Sequence, residues 1–89
     1  MKSNLERLSE LQSSIRDEKK CMAIVIGKNI ENARNIKGLT KVEVAKRIGM
    51  SDNCMGKIER GEMNISHQRM YSICEVLDIT PNEIFERGN

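Results

Sequence analysis

Aromatic side chains are scarce in this 89-residue chain, which contains one tyrosine, one phenylalanine and no tryptophan. Strands favour aromatic and β-branched residues, so a β-sandwich is a poor fit, and the core must come from Ile, Leu, Val, Met and Ala. Only one proline, Pro81, is present, which leaves long stretches free to be helical. We therefore expect an all-α fold built by packing helix on helix.

Cysteines are few and form no close pairs: Cys21, Cys54 and Cys74 are the three in the chain. This odd count argues against a disulfide framework and against a zinc site, so we expect reduced thiols, with Cys74 in the core. The N-terminus is polar and charged, unlike a signal peptide. The longest apolar run, residues 21–26, is far too short to span a bilayer. We expect a cytoplasmic protein without a membrane partner.

Catalytic patterns are also missing. The single histidine, His67, has no associated thiol or hydroxyl pattern that suggests a triad. No glycine-rich phosphate loop and no metal-ligand spacing occurs in the sequence. We predict that the protein is not an enzyme and that it needs no cofactor and no metal.

The sequence indicates clearly where helices begin and end. Small hydroxyl residues that can cap a helix precede apolar residues spaced by three and four, and glycines follow several of these segments. The predicted N-caps are Thr40, with Glu43 completing a capping box, Ser51, Ser66 and Thr80. The sequence thus predicts a helix at about residues 20–36, a second that begins at residue 41, and a third from residue 52 to about 60. A fourth follows the Ser66 cap and ends at residue 78, and a fifth begins at Pro81, with Ile84 and Phe85 packing inward.

Residues 1–20 precede this pattern as an appendage. Ser3 and Glu6 form a capping box, and an amphipathic leucine stripe follows, made of Leu5, Leu8, Leu11 and Ile15. The charged residues 17–20 suit either a hinge or the exposed part of a continuous helix. We therefore expect an N-terminal helical extension over 1–20 and a separate domain over 21–89. The extension is a candidate surface for dimerisation or for a protein partner, and packing onto its own domain is equally compatible.

Charge is unevenly distributed although the net charge is only +2. Residues 26–60 carry eight basic and four acidic side chains, whereas residues 61–89 carry two basic and five acidic ones. A basic middle segment is suited to contact phosphates, and ordinary solvated helix surface is the competing interpretation.

Three short segments resemble the lambda-repressor-like helix-turn-helix domains of the Cro/C1-type, XRE family. They are residues 40–45 (TKVEVA), 48–51 (IGMS) and 58–61 (IERG). The family includes phage repressors, restriction–modification controller proteins and some antitoxins. The resemblance implies a five-helix domain, here with an extra N-terminal amphipathic helix, in which residues 52–60 form the recognition helix. It also implies a structural ion pair between Arg34 and Glu59.

A recognition helix in the major groove presents its outward N-terminal side chains to the base edges. The expected base contacts are therefore Ser51, Asp52, Asn53, Gly56 and Lys57. Phosphate contacts are expected near the start of the preceding helix and after the recognition helix, at Lys37, Thr40, Lys41 and Arg60. Asp52 and Glu62 depart from this pattern, because each brings a negative charge to a surface expected to face a polyanion.

The resemblance implies a bacterial or phage-encoded regulator that binds specific sequences in double-stranded DNA. A repressor acting as a homodimer on a pseudo-palindromic operator fits best, with the dimer surface either around residues 70–85 or on the N-terminal stripe. The alternative is an antitoxin or another protein-interaction module that uses the same fold.

Overall fold

The computed structural model describes the backbone of residues 4–86 and the side chains of residues 21–86. Within residues 4–86 the chain forms five helices and no strand, which confirms the all-α prediction. The helices are α1 (Asn4–Lys37), α2 (Lys41–Ile48), α3 (Asp52–Glu59), α4 (His67–Leu77) and α5 (Pro81–Phe85). In this part of the chain no helix is both long enough and apolar enough to cross a membrane.

The first helix is much longer than the one predicted for residues 20–36. It runs without interruption through the charged residues 17–20, so the continuous helix, and not a hinge, is what the structure shows. The N-terminal extension is thus the first half of α1 and not a separate sixth helix. The Ser3 capping box and the side chains of the leucine stripe lie outside the described residues.

The predicted N-caps of the four shorter helices are present. The hydroxyl oxygens of Thr40, Ser51, Ser66 and Thr80 each accept a hydrogen bond from the backbone N–H three residues later. Thr80 also forms a full capping box with Glu83, and Pro81 occupies the first turn, where its missing N–H costs nothing. The predicted capping box at Thr40 is only half formed. The Glu43 carboxylate accepts from the Thr40 hydroxyl, 3.2 Å away, and no bond to the Thr40 backbone N–H is present among the described contacts.

The hydrophobic core draws on all five helices. Among residues 21–86, the buried hydrophobic side chains are Ile30, Val44, Ala45, Met55, Ile58, Met70, Ile73, Cys74, Leu77 and Ile84. Ile26 and Ala33 pack against this core from its edge, as their helical spacing predicts, and Leu39 packs there from the loop between α1 and α2. Burial raises the pKa of the Cys74 thiol above its ordinary value, which keeps it protonated and consistent with a purely structural role.

Phe85 differs from its prediction. It was expected to pack inward beside Ile84, but 41% of it is exposed, whereas Ile84 is fully buried. Neighbours in a helix point about 100° apart, so with Ile84 directed into the core Phe85 is turned away from it. Phe85 therefore stands at the surface, as Tyr71 of α4 does.

Two polar or small residues of α1 fix its position against the other helices. Gly27 is buried where α1 crosses the end of α3, and a Cβ atom there would lie 2.6 Å from the backbone oxygen of Glu59. Asn29 donates hydrogen bonds to the backbone oxygens of Ile84 (2.6 Å) and Glu86 (2.7 Å), which ties α1 to the end of α5. Neither role was predicted, because each depends on a residue more than thirty positions away.

Candidate nucleic-acid interface

A tight turn between α2 and α3 sets the start of the candidate recognition helix. Gly49 has the left-handed backbone conformation, with φ of +72°, and the Met50 N–H donates to the Ala45 oxygen at 2.9 Å. Ala45 is 2% exposed, and its small side chain suits a close approach between the two helices. The turn places Ser51 as the N-cap of α3 and so fixes which residues of α3 face outward.

The two faces of α3 differ sharply in burial. Met55, Ile58 and Glu59 are buried against the rest of the domain, and Cys54 is half-buried. Of the predicted base contacts, Ser51, Asp52, Asn53 and Lys57 are exposed. The structure thus leaves the N-terminal polar side chains of α3 accessible, on a helix whose opposite side is locked into the core.

Gly56 differs from its prediction as an open, outward position. It is buried, because the guanidinium group of Arg60 lies over it one helical turn away. A Cβ atom on Gly56 would lie 3.0 Å from Nη1 of Arg60. Direct approach of DNA to the Gly56 backbone therefore requires Arg60 to move, and Arg60 itself occupies this part of the helix surface.

Of the four predicted phosphate contacts, Arg60 lies over Gly56, and the other three lie at the end of α1 or at the start of α2. Thr40 and Lys41 are exposed at the N-terminus of α2, where backbone N–H groups and the helix dipole favour an anion. The Thr40 hydroxyl is already engaged in capping, since it accepts from the Glu43 N–H at 3.1 Å. Lys37 forms an ion pair with Asp78 at the end of α4, with 3.7 Å between Nζ and Oδ2. Of these residues, Lys41 is the one that stands on an exposed helix N-terminus with a full positive charge.

Arg34 and Glu59 are brought together across the interface between α1 and α3. Nε of Arg34 lies 2.7 Å from Oε2 of Glu59, and Nη2 lies 3.1 Å from Oε1, so the pair is bidentate. Nη1 of Arg34 also donates to the Leu39 oxygen at 2.9 Å. The Glu59 side chain is 1% exposed and the Arg34 side chain 11%. The hydrogen bonds from Arg34 to Glu59 hold the pKa of Arg34 above its ordinary value, so Arg34 remains charged.

A short helix, a glycine turn and a second short helix with an exposed polar edge form a helix-turn-helix unit. Residues 30–84 match the HTH_3 family model, described as a helix-turn-helix. The chain belongs to this family. It is the Cro/C1-type, XRE family of DNA-binding transcription regulators, which are not enzymes.

Two known proteins are similar in sequence to more than half of this chain. An HTH-type transcriptional regulator of Sinorhizobium fredii, y4dJ, is 32% identical over 63 residues, covering 71% of this chain and 82% of the relative. The antitoxin PezA of Streptococcus pneumoniae is 32% identical over 56 residues, or 63% of this chain. That match spans only 35% of the antitoxin's own length.

A solved structure gives the same fold. The restriction–modification controller protein C.AhdI from Aeromonas hydrophila superposes with a TM-score of 0.67 at 30% sequence identity. The superposition covers 71% of this chain and 96% of the controller protein. The lambda-repressor-like fold expected from the sequence is thereby confirmed.

Proposed function

We propose that this helix-turn-helix protein regulates transcription by binding a specific operator in double-stranded DNA through the exposed edge of α3. The observation that carries the proposal is the fixed orientation of α3, whose inner side is buried while Ser51, Asp52, Asn53 and Lys57 face solvent. Asparagine pairs with adenine through two hydrogen bonds, lysine donates to guanine, and aspartate accepts from the cytosine amino group. The exposed residues thus include three whose side chains have the chemistry to discriminate between base pairs, which supports the proposal.

The direct test is a gel-shift titration at low salt with the DNA that flanks the gene, together with a random-sequence duplex of equal length. When the titration is repeated at physiological salt, we expect retardation of the flanking DNA at concentrations at least about a thousandfold lower than for the random duplex. A folded protein that retards neither duplex would contradict the proposal.

Lys41→Ala tests the proposed phosphate contact at the start of α2. We expect weaker binding to every DNA sequence, and a slope of log Kd against log salt that is shallower by about one unit, because one counterion fewer is released. Binding titrations between low and moderate salt measure this slope. An unchanged slope would show that Lys41 does not contact a phosphate.

Asn53→Ala tests base recognition by α3. We expect the preference at one base pair per half-site to be lost, which corresponds to about 1–3 kcal/mol of discrimination. Affinities for operators altered at single base pairs measure the effect. Equal weakening on all sequences, with the other preferences unchanged, would instead assign Asn53 to the DNA backbone.

We also propose a homodimer that acts as a repressor on a pseudo-palindrome, since one such module buries only about 600–1,000 Å² and specific sites usually need two. The exposed Tyr71 and Phe85 favour a dimer surface on α4 and α5, at 59% and 41% exposure. The leucine stripe at residues 5–15 is the competing surface. Sedimentation measures the dimer in the full chain and in two variants, and so distinguishes the two surfaces. Tyr71→Ser weakens a dimer formed by α4 and α5, whereas removal of residues 1–20 weakens one formed by the leucine stripe.

The likeness to the antitoxin supports a second candidate, in which the helix-turn-helix protein also binds a partner protein. The N-terminal half of α1 is the proposed partner surface, because it precedes residues 30–84, which match the family model, and carries the leucine stripe. DNA binding that survives removal of residues 1–20, with loss of a co-purifying protein, would support this candidate.

A further inference from the structure

The side chain of Arg60 lies along the outer surface of α3 instead of extending into solvent. Residues 56 and 60 are neighbours on one face of a helix, and Gly56 has no side chain to keep the guanidinium away. A Cβ atom on Gly56 would meet Nη1 of Arg60 at 3.0 Å and Nη2 at 4.0 Å. Arg60 therefore supplies a positive charge at the place where α3 itself lacks a side chain.

Glu62 holds Arg60 in this position. Nη2 of Arg60 lies 3.1 Å from Oε2 of Glu62, and the two side chains are 53% and 54% exposed. The same hydrogen bond lowers the pKa of Glu62 below its ordinary value. Glu62 thus stays ionised, and its charge opposes the one that Arg60 offers to DNA.

The backbone conformation around Glu62 keeps its carboxylate close to the guanidinium group of Arg60. Gly61 has a φ of +74°, the Gly61 N–H donates to the Ile58 oxygen at 3.1 Å, and the Glu62 N–H donates to the Lys57 oxygen at 2.9 Å. This is the hydrogen-bond pattern of a Schellman motif, which closes a helix and orders the next two residues. Gly61 also contacts Ile24 of α1, since a Cβ atom there would lie 2.8 Å from the Cα of Ile24. Glu62 is therefore anchored beside the last turn of α3.

The geometry points to Glu62 as a specificity-determining residue that acts through Arg60, by competing with DNA for its guanidinium group. This inference rests on the proposed function. A phosphate or guanine that binds the Nη2 hydrogen of Arg60 must displace the Glu62 carboxylate, and one that binds any other N–H group of the guanidinium lies close to the Glu62 charge. In a specific complex, Arg60 gains a well-placed phosphate or guanine, which offsets that loss. In a non-specific complex it gains only a loosely placed phosphate, so Glu62 weakens non-specific binding more than specific binding.

The test is a double-mutant cycle on DNA binding with Glu62→Gln, Arg60→Ala and the double variant. We expect Glu62→Gln to strengthen binding to a random-sequence duplex more when Arg60 is present than when it is replaced by alanine. The gain should be about two- to fivefold larger with Arg60 present, a small factor because exposed ion pairs are weak. Glu75→Gln, which removes an exposed charge from α4, is the control for net charge. We further expect Glu62→Gln to tighten binding to the selected operator less than binding to the random duplex.

Equal gains from Glu62→Gln in both backgrounds would overturn the inference, since the effect would then be general repulsion of the phosphates. Equal gains on operator and random DNA would overturn it as well. An NMR titration of Glu62 in the free protein gives a readout without DNA: its pKa must rise in Arg60→Ala, and an unchanged pKa contradicts the ion pair. Failure of the wild type to bind any duplex would instead contradict the proposed function.

Discussion

Replacing Gly27 with alanine is expected to destabilise the domain by about 2–3 kcal/mol, because the new methyl group meets backbone atoms that cannot rotate away. The Cβ atom would lie 2.6 Å from the oxygen of Glu59 and 2.9 Å from its carbonyl carbon. Alanine favours a helix by about 0.5–1 kcal/mol over glycine, but this gain is smaller than the cost of moving α1 away from α3. Thermal unfolding followed by circular dichroism should show a midpoint lower by about 10–20 °C.

The matched control is the same substitution at Gly56. There a Cβ atom would meet only the end of the flexible Arg60 side chain, at 3.0 Å. Gly56→Ala should therefore leave stability unchanged or raise it by up to about 1 kcal/mol, as helix propensity predicts. If Gly27→Ala were as stable as Gly56→Ala, the close crossing of α1 over the end of α3 would be wrong.

Arg34→Ala is expected to cost about 3–5 kcal/mol, because it leaves the Glu59 carboxylate without its partner in a buried position. The Glu59 side chain is 1% exposed and accepts two hydrogen bonds from Arg34, so solvent cannot replace them without opening the domain. A loss of this size is a large share of the roughly 5–15 kcal/mol that stabilises a typical domain. Urea unfolding measures it, and a variant that does not fold agrees with the prediction.

Arg34→Met combined with Glu59→Leu separates the loss of the pair from the loss of one charge. Replacing both members by apolar residues of similar volume removes the unpaired charge, so most of the stability should return. If Arg34→Ala unfolded with its midpoint at the same urea concentration as the wild type, the ion pair would not stabilise α3.

Gly27 and Arg34 act on the same element. Gly27 lets α1 approach the carbonyl groups at the end of α3, and Arg34 binds the side chain of Glu59 in that same turn. At its other end α3 is held by the Gly49 turn and capped by Ser51. Helix α3 has only eight residues and would not be stable alone, so its orientation depends on these contacts.

Local rules in the sequence predict much of this fold. Thr40, Ser51, Ser66 and Thr80 were expected to cap helices because a hydroxyl group can accept from a backbone N–H three residues on, and this depends on near neighbours only. The left-handed conformation of Gly49 follows equally from its place after an amphipathic segment. The Arg34–Glu59 pair came from the family resemblance and not from local rules.

The features of this fold that the sequence does not predict depend on contacts between residues that are far apart in the chain. Gly27 lies within an unbroken helix, and its role appears only when the end of α3 is placed against it. The exposure of Phe85 and the bonds of Asn29 likewise depend on how α5 meets α1. Gly56 was expected to face DNA directly, but the Arg60 side chain covers it. Periodicity shows which face of a helix a residue lies on, and it does not show which neighbouring side chain folds over that residue.

Protection of guanine N7 from methylation by dimethyl sulfate measures most directly whether α3 lies in the major groove. Duplexes selected by the wild-type protein from a random library serve as the substrate, since N7 is exposed only in that groove. We expect protected guanines in two half-sites about 34–36 Å apart, with protection altered in Asn53→Ala and Lys57→Ala. Bound duplexes in which every guanine N7 remains as reactive as in free DNA would contradict it.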